Sequence, residues 1–518
     1  MIMRNLRLTR LLGAGLAAIF LAGCTVGPKY HPPTATPLGA PPPTYKESPT
    51  RFPDAKEWKV AQPQDARLHG RWWEIYNDPE LNALEDKLNI NNQNIKQFFE
   101  NYMVARAMIA EARSQLYPTI GTTPAYSRSQ TSRNIGAANG TTTTGTGGTT
   151  ATTAGEQISL FALPADVSWA PDIWGKVRNA IHAAQYSAQL SEADLENERL
   201  TEQASLAVFL FELRGQDALQ KIFDETIEAD KKSVELTRAR YETGIDNQIS
   251  LVQAQNALES AEAAGTNLGV ARAQYEHAIA VLIGTTPSSF SLPFKPLAAA
   301  PPAIPIGVPS QLLERRPDIA ASERMMAAAN AQIGVAVAAY YPTLTLSAQG
   351  GFESSSFTKL LSWPSRFWSI GPSLSETIFD AGLRRATVLQ YEATYNADIA
   401  SYRQTVLAAF QQVEDNLAAV RILSKQIQEQ QAAELSAERY LELAKARYYT
   451  GVDTYLNVLV AQTTLLSSQQ TLASLRIQVM TDSVQLIEAL GGGWDRSQLP
   501  TPAQVSEKIY KSDVQAQQ

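Results

Sequence analysis

The chain of 518 residues has one cysteine, Cys24, so no intramolecular disulfide can form. Its four histidines, at 31, 69, 182 and 277, stand in no spacing that suggests zinc ligation. No run of 18 apolar residues occurs, which excludes a transmembrane helix but leaves membrane-crossing strands open. There is no nucleophile elbow, P-loop or dinucleotide fingerprint, so no catalytic residue, metal or cofactor is expected. The net charge of −7 becomes −10 if Arg4, Arg7 and Arg10 leave with a cleaved leader. That balance lacks the basic surface a nucleic-acid partner would need.

Proline is missing between Pro171 and Pro287 and again between Pro372 and Pro500, and Gly451 is the only glycine between Gly382 and Gly491. Ala, Gln, Glu, Leu and Arg dominate both stretches, which is long-helix composition. Each is broken once by a Thr-Gly pair, which predicts two helical hairpins with glycine at the turn. The arm from Gly175 to Thr243 would be about 100 Å long, too long to bury in one globule. Large aromatics are sparse along these arms and small residues abundant, which suits close, coiled-coil-like seams.

What is present is said twice. Arg240-Tyr241-Glu242-Thr243-Gly244-Ile245-Asp246 returns 207 positions later as Arg447-Tyr448-Tyr449-Thr450-Gly451-Val452-Asp453, and Ala254-Gln255 matches Ala461-Gln462. Tyr117-Pro118-Thr119-Ile120 returns as Tyr341-Pro342-Thr343-Leu344 at an offset of 224. The difference of 17 falls where the first copy carries a Thr/Gly-rich stretch, about Gln130 to Gly155, so one loop of a duplicated unit has lengthened. Asp78 before Pro79 reads as the N-cap of a helical stretch running to Leu116.

Between the arms the period changes to two. Leu344, Leu346, Ala348, Gly350 and Phe352 alternate with polar or small residues, as do Trp368, Ile370, Pro372 and Leu374. Phe161, Leu163, Ala165, Val167 and Trp169 form the matching face of the first copy, and Ile120 and Tyr126 a weaker one. This is the apolar-out, polar-in pattern of a membrane barrel strand, although a soluble sheet with one wet face alternates too. Strand length and the aromatic ends (Trp169, Trp368, Phe352, Phe379) favour the membrane. Two hairpins supply four strands per chain, and an open edge in lipid leaves backbone groups unpaired at several kcal/mol each. Two copies would give eight strands around a filled interior; three give twelve and room for a channel.

Residues 1–23 read as an export signal: a basic start, an apolar stretch from Leu11 to Leu21, then Leu21-Ala22-Gly23-Cys24, which resembles a bacterial lipoprotein cleavage box. That resemblance makes Cys24 the acylated first residue; the alternative is an ordinary signal beside a stray cysteine. Thr25, where Asp would retain the protein in the inner membrane, resembles sorting to the outer membrane. A Pro-rich extended tether should follow.

The order tether, helix, β-hairpin, helical hairpin, then the same again, resembles the outer membrane factor (TolC-like) family, in its OprM-type lipoprotein subclass of RND-type tripartite pumps. The matching residues are Val26-Gly27-Pro28-Lys29-Tyr30, Trp72-Trp73 with Asp78-Pro79, and the run from Leu312 to Arg324 containing Arg315-Arg316-Pro317-Asp318-Ile319. Tyr341-Pro342-Thr343-Leu344 and Leu490-Gly491-Gly492-Gly493-Trp494 complete the set. The resemblance implies an α+β membrane protein: a trimeric 12-stranded outer-membrane β-barrel continued by a long periplasmic α-helical barrel. The segments would be a signal at 1–23, a lipidated tether at 24–70, a first repeat at 71–290, an equatorial linker at 291–310, a second repeat at 311–494 and a tail at 495–518.

The function implied is a passive, gated exit duct for toxic compounds, driven by an inner-membrane RND-type pump through a periplasmic adaptor (membrane fusion) protein. The adaptor-docking tips would be Arg240, Tyr241, Thr243 and Gly244 with Arg447, Tyr448, Thr450 and Gly451. Many members carry an acidic ring residue just before the second Ala-Gln; here that position is Val460, and its first-copy partner is Gln253. Asp246 and Asp453 are then the nearest acidic gate candidates, with helix capping as their other reading. A protein-secretion duct would share the architecture. A trimeric coiled-coil adhesin is a different class, but would carry one anchor region at one end.

Overall fold

The computed structural model describes residues 25–37, 39, 41–47, 58–60, 70–130, 132, 141–144, 148–151, 157–298, 300–306 and 309–507. The chain folds as two compact units: Met1–His31, Ala105–Ser187 and Met326–Asp398 form one, and Pro32–Val104, Ala188–Met325 and Ile399–Gln518 the other.

The helices repeat as the sequence does. They are α1 (Pro79–Asn91), α2 (Gln93–Ser114), α3 (Lys176–Glu242), α4 (Gln248–Leu282), α5 (Pro317–Ala338), α6 (Leu383–Tyr449) and α7 (Tyr455–Ala489). α3 and α6 have 67 residues each and α4 and α7 have 35 each, every boundary displaced by 207. α2 and α5 have 22 each, at the offset of 224. Asp78 caps α1, its carboxylate accepting from the amides of Glu80 and Leu81. The continuous helix expected from there to Leu116 is instead two. Asn92 leaves the helical region (φ −61°, ψ 127°) and its side-chain oxygen accepts from the amides of Asn94 and Ile95, starting α2 afresh.

The strands are β1 (Trp58–Val60), β2 (Thr119–Gly121), β3 (Ala125–Gln130), β4 (Thr141–Thr144), β5 (Gly148–Ala151), β6 (Gln157–Trp169), β7 (Ile304–Ile306), β8 (Thr343–Ser354) and β9 (Arg366–Ser375). In the first unit β2 and β3 both pair with β6, β6 with β8 and β8 with β9, all antiparallel. β2 and β3 occupy one strand position, interrupted at 122–124 where Pro124 has no amide to donate. Two hairpins from distant parts of the chain therefore make one four-position sheet. β4 and β5 form a separate hairpin within the Thr/Gly-rich insertion.

The described parts of the N-terminal segment are fastened to the helices at several points. In the first unit the Val26 amide donates to Trp174 O at 3.1 Å, Asn179 Nδ2 to Val26 O at 3.0 Å, and Asn330 Nδ2 to Pro28 O at 3.1 Å. Gly27 has φ 117° and lies against Gly334, where any Cβ would come within 2.6 Å of the Gly334 Cα. Within the second unit Tyr45 is buried, the amides of Lys46 and Glu47 donate to the Glu414 carboxylate at 2.6 and 3.1 Å, and Arg421 pairs with Glu47 at 2.8 Å. β1 pairs in parallel with β7, joining the N-terminal segment to the linker between the repeats.

The main core lies in the second unit, around Trp72, Trp73, Leu81, Leu88, Leu210 and Ile279. Beside it the buried Arg214 pairs with Asp78 and, at 2.6 Å, with Glu80. Asp78 thus holds a helix start and a buried cation together.

Candidate functional site

In the first unit the sheet presents two unlike faces. Ile120, Val167, Ala348 and Ile370 stand side by side across all four strand positions. The next row, on the opposite face, is Gly121, Asp166, Gln349 and Ser369, with Gln349 Nε2 donating to Asp166 Oδ1 at 2.7 Å. A soluble sheet with this alternation would bury its apolar face under another layer. Here it is uncovered: Ile120, Trp368, Ile370 and Leu374 are between 71% and 78% exposed. β6, β8 and β9 have 13, 12 and 10 residues, the length of a tilted strand spanning a bilayer. The outer edges of β2, β3 and β9 are unpaired among the described residues. No helix is long and apolar enough to cross a membrane among the described residues.

In the second unit lie the two helical turns. Gly244 and Gly451 have φ of 70° and 71°, the left-handed conformation their position after a helix asks for. The same bonds close both turns: Ile245 N to Arg240 O at 2.9 Å, and Val452 N to Arg447 O at 3.0 Å. Thr243 and Thr450 turn their hydroxyls back onto Ala239 O and Ala446 O. Tyr241, Thr243, Thr450 and both glycines are exposed, so these expected tip residues do face outward.

Two do not. Tyr448 is 3% exposed and packs with Tyr455, Val458 and Ala444; its hydroxyl donates to Asp246 Oδ2 at 2.6 Å. Arg240 lies with its guanidinium 4.7 Å from the Tyr448 ring and 3.9 Å from Asp246. These two join the tips to each other, whereas Arg447 stays exposed beside Asp453 at 3.3 Å. The outward surface instead includes Ile245, Ile249, Tyr449, Val452 and Leu456, which motif matching alone did not single out. Their exposure, two of them in the turns and three on the helix ends beside the turns, is the signal that finds them.

The N-caps of α4 and α7 are Asn247 and Thr454, not the aspartates before them. Asp246 accepts from the Asn247 amide and the Ser250 and Tyr448 hydroxyls; Asp453 accepts from the Thr454 amide and Asn457. Burial works against ionising Asp246, but those bonds and the Arg240 charge outweigh it and hold its carboxyl below the usual range. Burial, then the Asp246 carboxylate, push the Tyr448 phenol up, so it remains a donor. Val460 is exposed on α7 and brings no charge to this region.

A few turns above the tips, Asp230 is buried between helices. Burial pushes its carboxyl up to about 6 against the pull of Lys445, and Gln462 Nε2 donates to its Oδ1 at 3.1 Å. Cys24 lies outside the described residues. No group of three or more His, Cys, Asp or Glu side chains among the described residues could hold a metal.

The sequence model of the family described as "Outer membrane efflux protein" matches residues 84–285 and 308–492, one segment in each repeat. The chain is 31% identical over 487 residues to the antibiotic efflux pump outer membrane protein ArpC of Pseudomonas putida, covering 93% of this chain and 96% of that one. It is 30% identical, with the same coverage, to the toluene efflux pump outer membrane protein TtgC of the same species. Among solved structures it resembles the outer-membrane channel OprN with a TM-score of 0.79 and 26% identity, over 91% of this chain and all of that one.

Proposed function

The chain belongs to the outer membrane efflux protein family, and on that premise we propose that it is the outer-membrane exit duct of a tripartite system expelling small toxic compounds. The observation that carries this reading is the uncovered apolar face of a sheet whose two edges are open. Lipid supplies the missing layer, and further copies of the chain supply the missing strands. Three copies bring the strand positions to twelve, enough for a lumen, which supports a homotrimer. The polar row around Asp166 and Gln349 then lines the water-filled side.

The tips, with exposed apolar side chains and fixed glycine turns, are the surface proposed for the periplasmic adaptor. The inner-membrane RND-type pump supplies the energy, since nothing in a duct of this kind spends any. Antibiotics and toluene appear in the names of relatives, and amphiphiles of that size are the cargo class proposed here. Cys24 is proposed to carry lipid and to tie the fastened N-terminal segment to the same membrane.

The test is removal of the chain from its host, with antibiotic and solvent susceptibility compared before and after restoring it from a plasmid. The reading predicts sensitisation that the restored chain reverses. Unchanged susceptibility to every compound the partner pump handles would overturn it.

A further inference from the structure

Four charged side chains stand in the strands of the four-position sheet, and they sort by face. Asp166 and Glu353 lie on the polar face. Arg128, opposite Ser159, and Arg366, opposite Phe352, lie on the apolar one. Both arginines also stand at the end where the hairpins turn, away from the strand ends that run into α2, α3, α5 and α6. Arginine facing lipid is costly at the bilayer midplane and tolerated only near an interface. Their surroundings suit such an interface. The Arg366 guanidinium lies 3.9 Å from the Trp363 ring, and Phe357, Leu361 and Trp363 in the adjoining turn are between 70% and 72% exposed. Stacking occupies the face of a guanidinium and leaves its in-plane N–H donors free for an anion. Beside Arg128, the Tyr126 and Phe161 rings stand 4.6 Å apart, and Arg128 itself donates to a neutral partner, Gln157 Oε1, at 2.9 Å. The turn from 355 to 365 adds Lys359 and no acid. Where α3 and α6 begin, by contrast, Arg178 holds Asp172 at 3.3 Å and Arg384 holds Asp380 at 2.6 Å. At the hairpin end no acid pairs with Arg128, Lys359 or Arg366 among the described residues.

We propose that Arg128 and Arg366 bind the phosphate groups of a lipid in the outer leaflet of the membrane. They stand on the two outermost strand positions, so copies joined edge to edge bring Arg366 of one to the same seam as Arg128 of the next. Each seam then carries two guanidinium groups flanked by aromatic rings, which suits a headgroup with two phosphates. The exposed column of Trp368, Ile370 and Leu374 takes the acyl chains of the same lipid. This goes beyond the proposed function and rests on it, because the seam exists only in the closed barrel.

The test is native mass spectrometry of the full-length protein in detergent, titrated with lipid A bearing two phosphates and with the same lipid stripped of both. The assembled protein should retain up to one lipid per seam and prefer the phosphorylated form by about tenfold or more. Arg128→Gln and Arg366→Gln should each lower that preference about tenfold. Arg366→Lys should restore part of it, and Arg385→Gln, at the helix end, should leave it unchanged. A trimer that binds both lipids alike, or whose preference survives both glutamine variants, would overturn the site and leave the duct reading standing. Loss of the preference in the presence of equimolar inorganic phosphate would overturn it in favour of a free-anion site. A native mass of one chain would overturn both readings. The comparison of the two lipids on the unaltered chain decides the matter even where a variant fails to assemble.

Discussion

Asn92 and Arg316, 224 positions apart, do the same work in the two halves of the chain. Asn92 Nδ2 donates to the carbonyl of Leu282, the last residue of α4, at 2.9 Å, and Arg316 Nη1 donates to that of Ala489, the last of α7, at 3.0 Å. Each stands just before the start of another helix, α2 or α5, so each satisfies a helix end that has no partner of its own. This gives the Arg-Arg-Pro-Asp-Ile motif a physical reason. Arg316 also holds Asp318 at 2.6 Å and Gln412 at 2.8 Å, and Pro317 opens α5 where its missing amide costs nothing.

Arg316→Ala should therefore destabilise the folded protein by about 2–3 kcal/mol, since it strands a buried carbonyl and an acid only 26% exposed. Asn92→Ala should cost about 1–2 kcal/mol through loss of the cap and the clamp. Thermal melts of the detergent-solubilised protein measure both. A Tm unchanged by Arg316→Ala would show that the junction does not depend on it.

The turn glycines make a separable prediction. A Cβ at Gly244 or Gly451 meets nothing within 4 Å, so substitution is opposed only by the positive φ. Valine at either position should cost about 1–2 kcal/mol of local strain or somewhat more for its branched Cβ. Susceptibility and outer-membrane abundance are read together. Lost efflux at normal abundance supports docking at the tips; full efflux with both glycines replaced would contradict it.

Asp230 predicts a pH dependence. Its folded pKa of about 6 lies above the unfolded 3.8, so the folded state holds the proton more tightly. Its contribution to stability is complete below about pH 4 and is lost as pH rises through 6. Lys445 faces it and favours the charged form, Gln462 donates to either form, and the Tyr455 phenol lies close enough to be pushed up by its charge. Asp230→Asn should flatten this part of the profile and stabilise the protein by roughly 1–3 kcal/mol at pH 7.5 while changing little at pH 4. Equal shifts in Tm at both pH values would contradict the assignment.

For the N-terminus, intact-mass measurement should find Cys24 as the first residue, carrying acyl chains. An unmodified Cys24, or a chain starting elsewhere, would remove the lipid anchor from the account.

The repeat was legible because its two copies keep the same polar and apolar order, and the helix ends because glycine and proline mark them. Gly451, alone in more than a hundred residues, announced its turn. The sheet was legible from Leu344 to Leu374 because alternation is a local property. Sequence could not say whether its apolar face was covered; the exposure of Trp368 and Ile370 did. The break at Asn92 was missed because Asn is tolerated within helices and here leaves one to satisfy two helix ends. Arg240 and Arg447 read alike in sequence and sit differently, since Arg240 has the Tyr448 ring beside it while Arg447 stays exposed next to Asp453. Lys46 and Glu47, in a segment read as a tether, are fastened by Glu414 and Arg421, residues more than 360 positions away that no local pattern links to them.

A sheet with two open edges in lipid must be completed by other copies of the chain. The most direct test of that completion is the native mass of the full-length protein in detergent, measured by mass spectrometry or light scattering. Three chains per particle, with the strand signal retained, is the predicted result; a stable, fully folded single chain would contradict it.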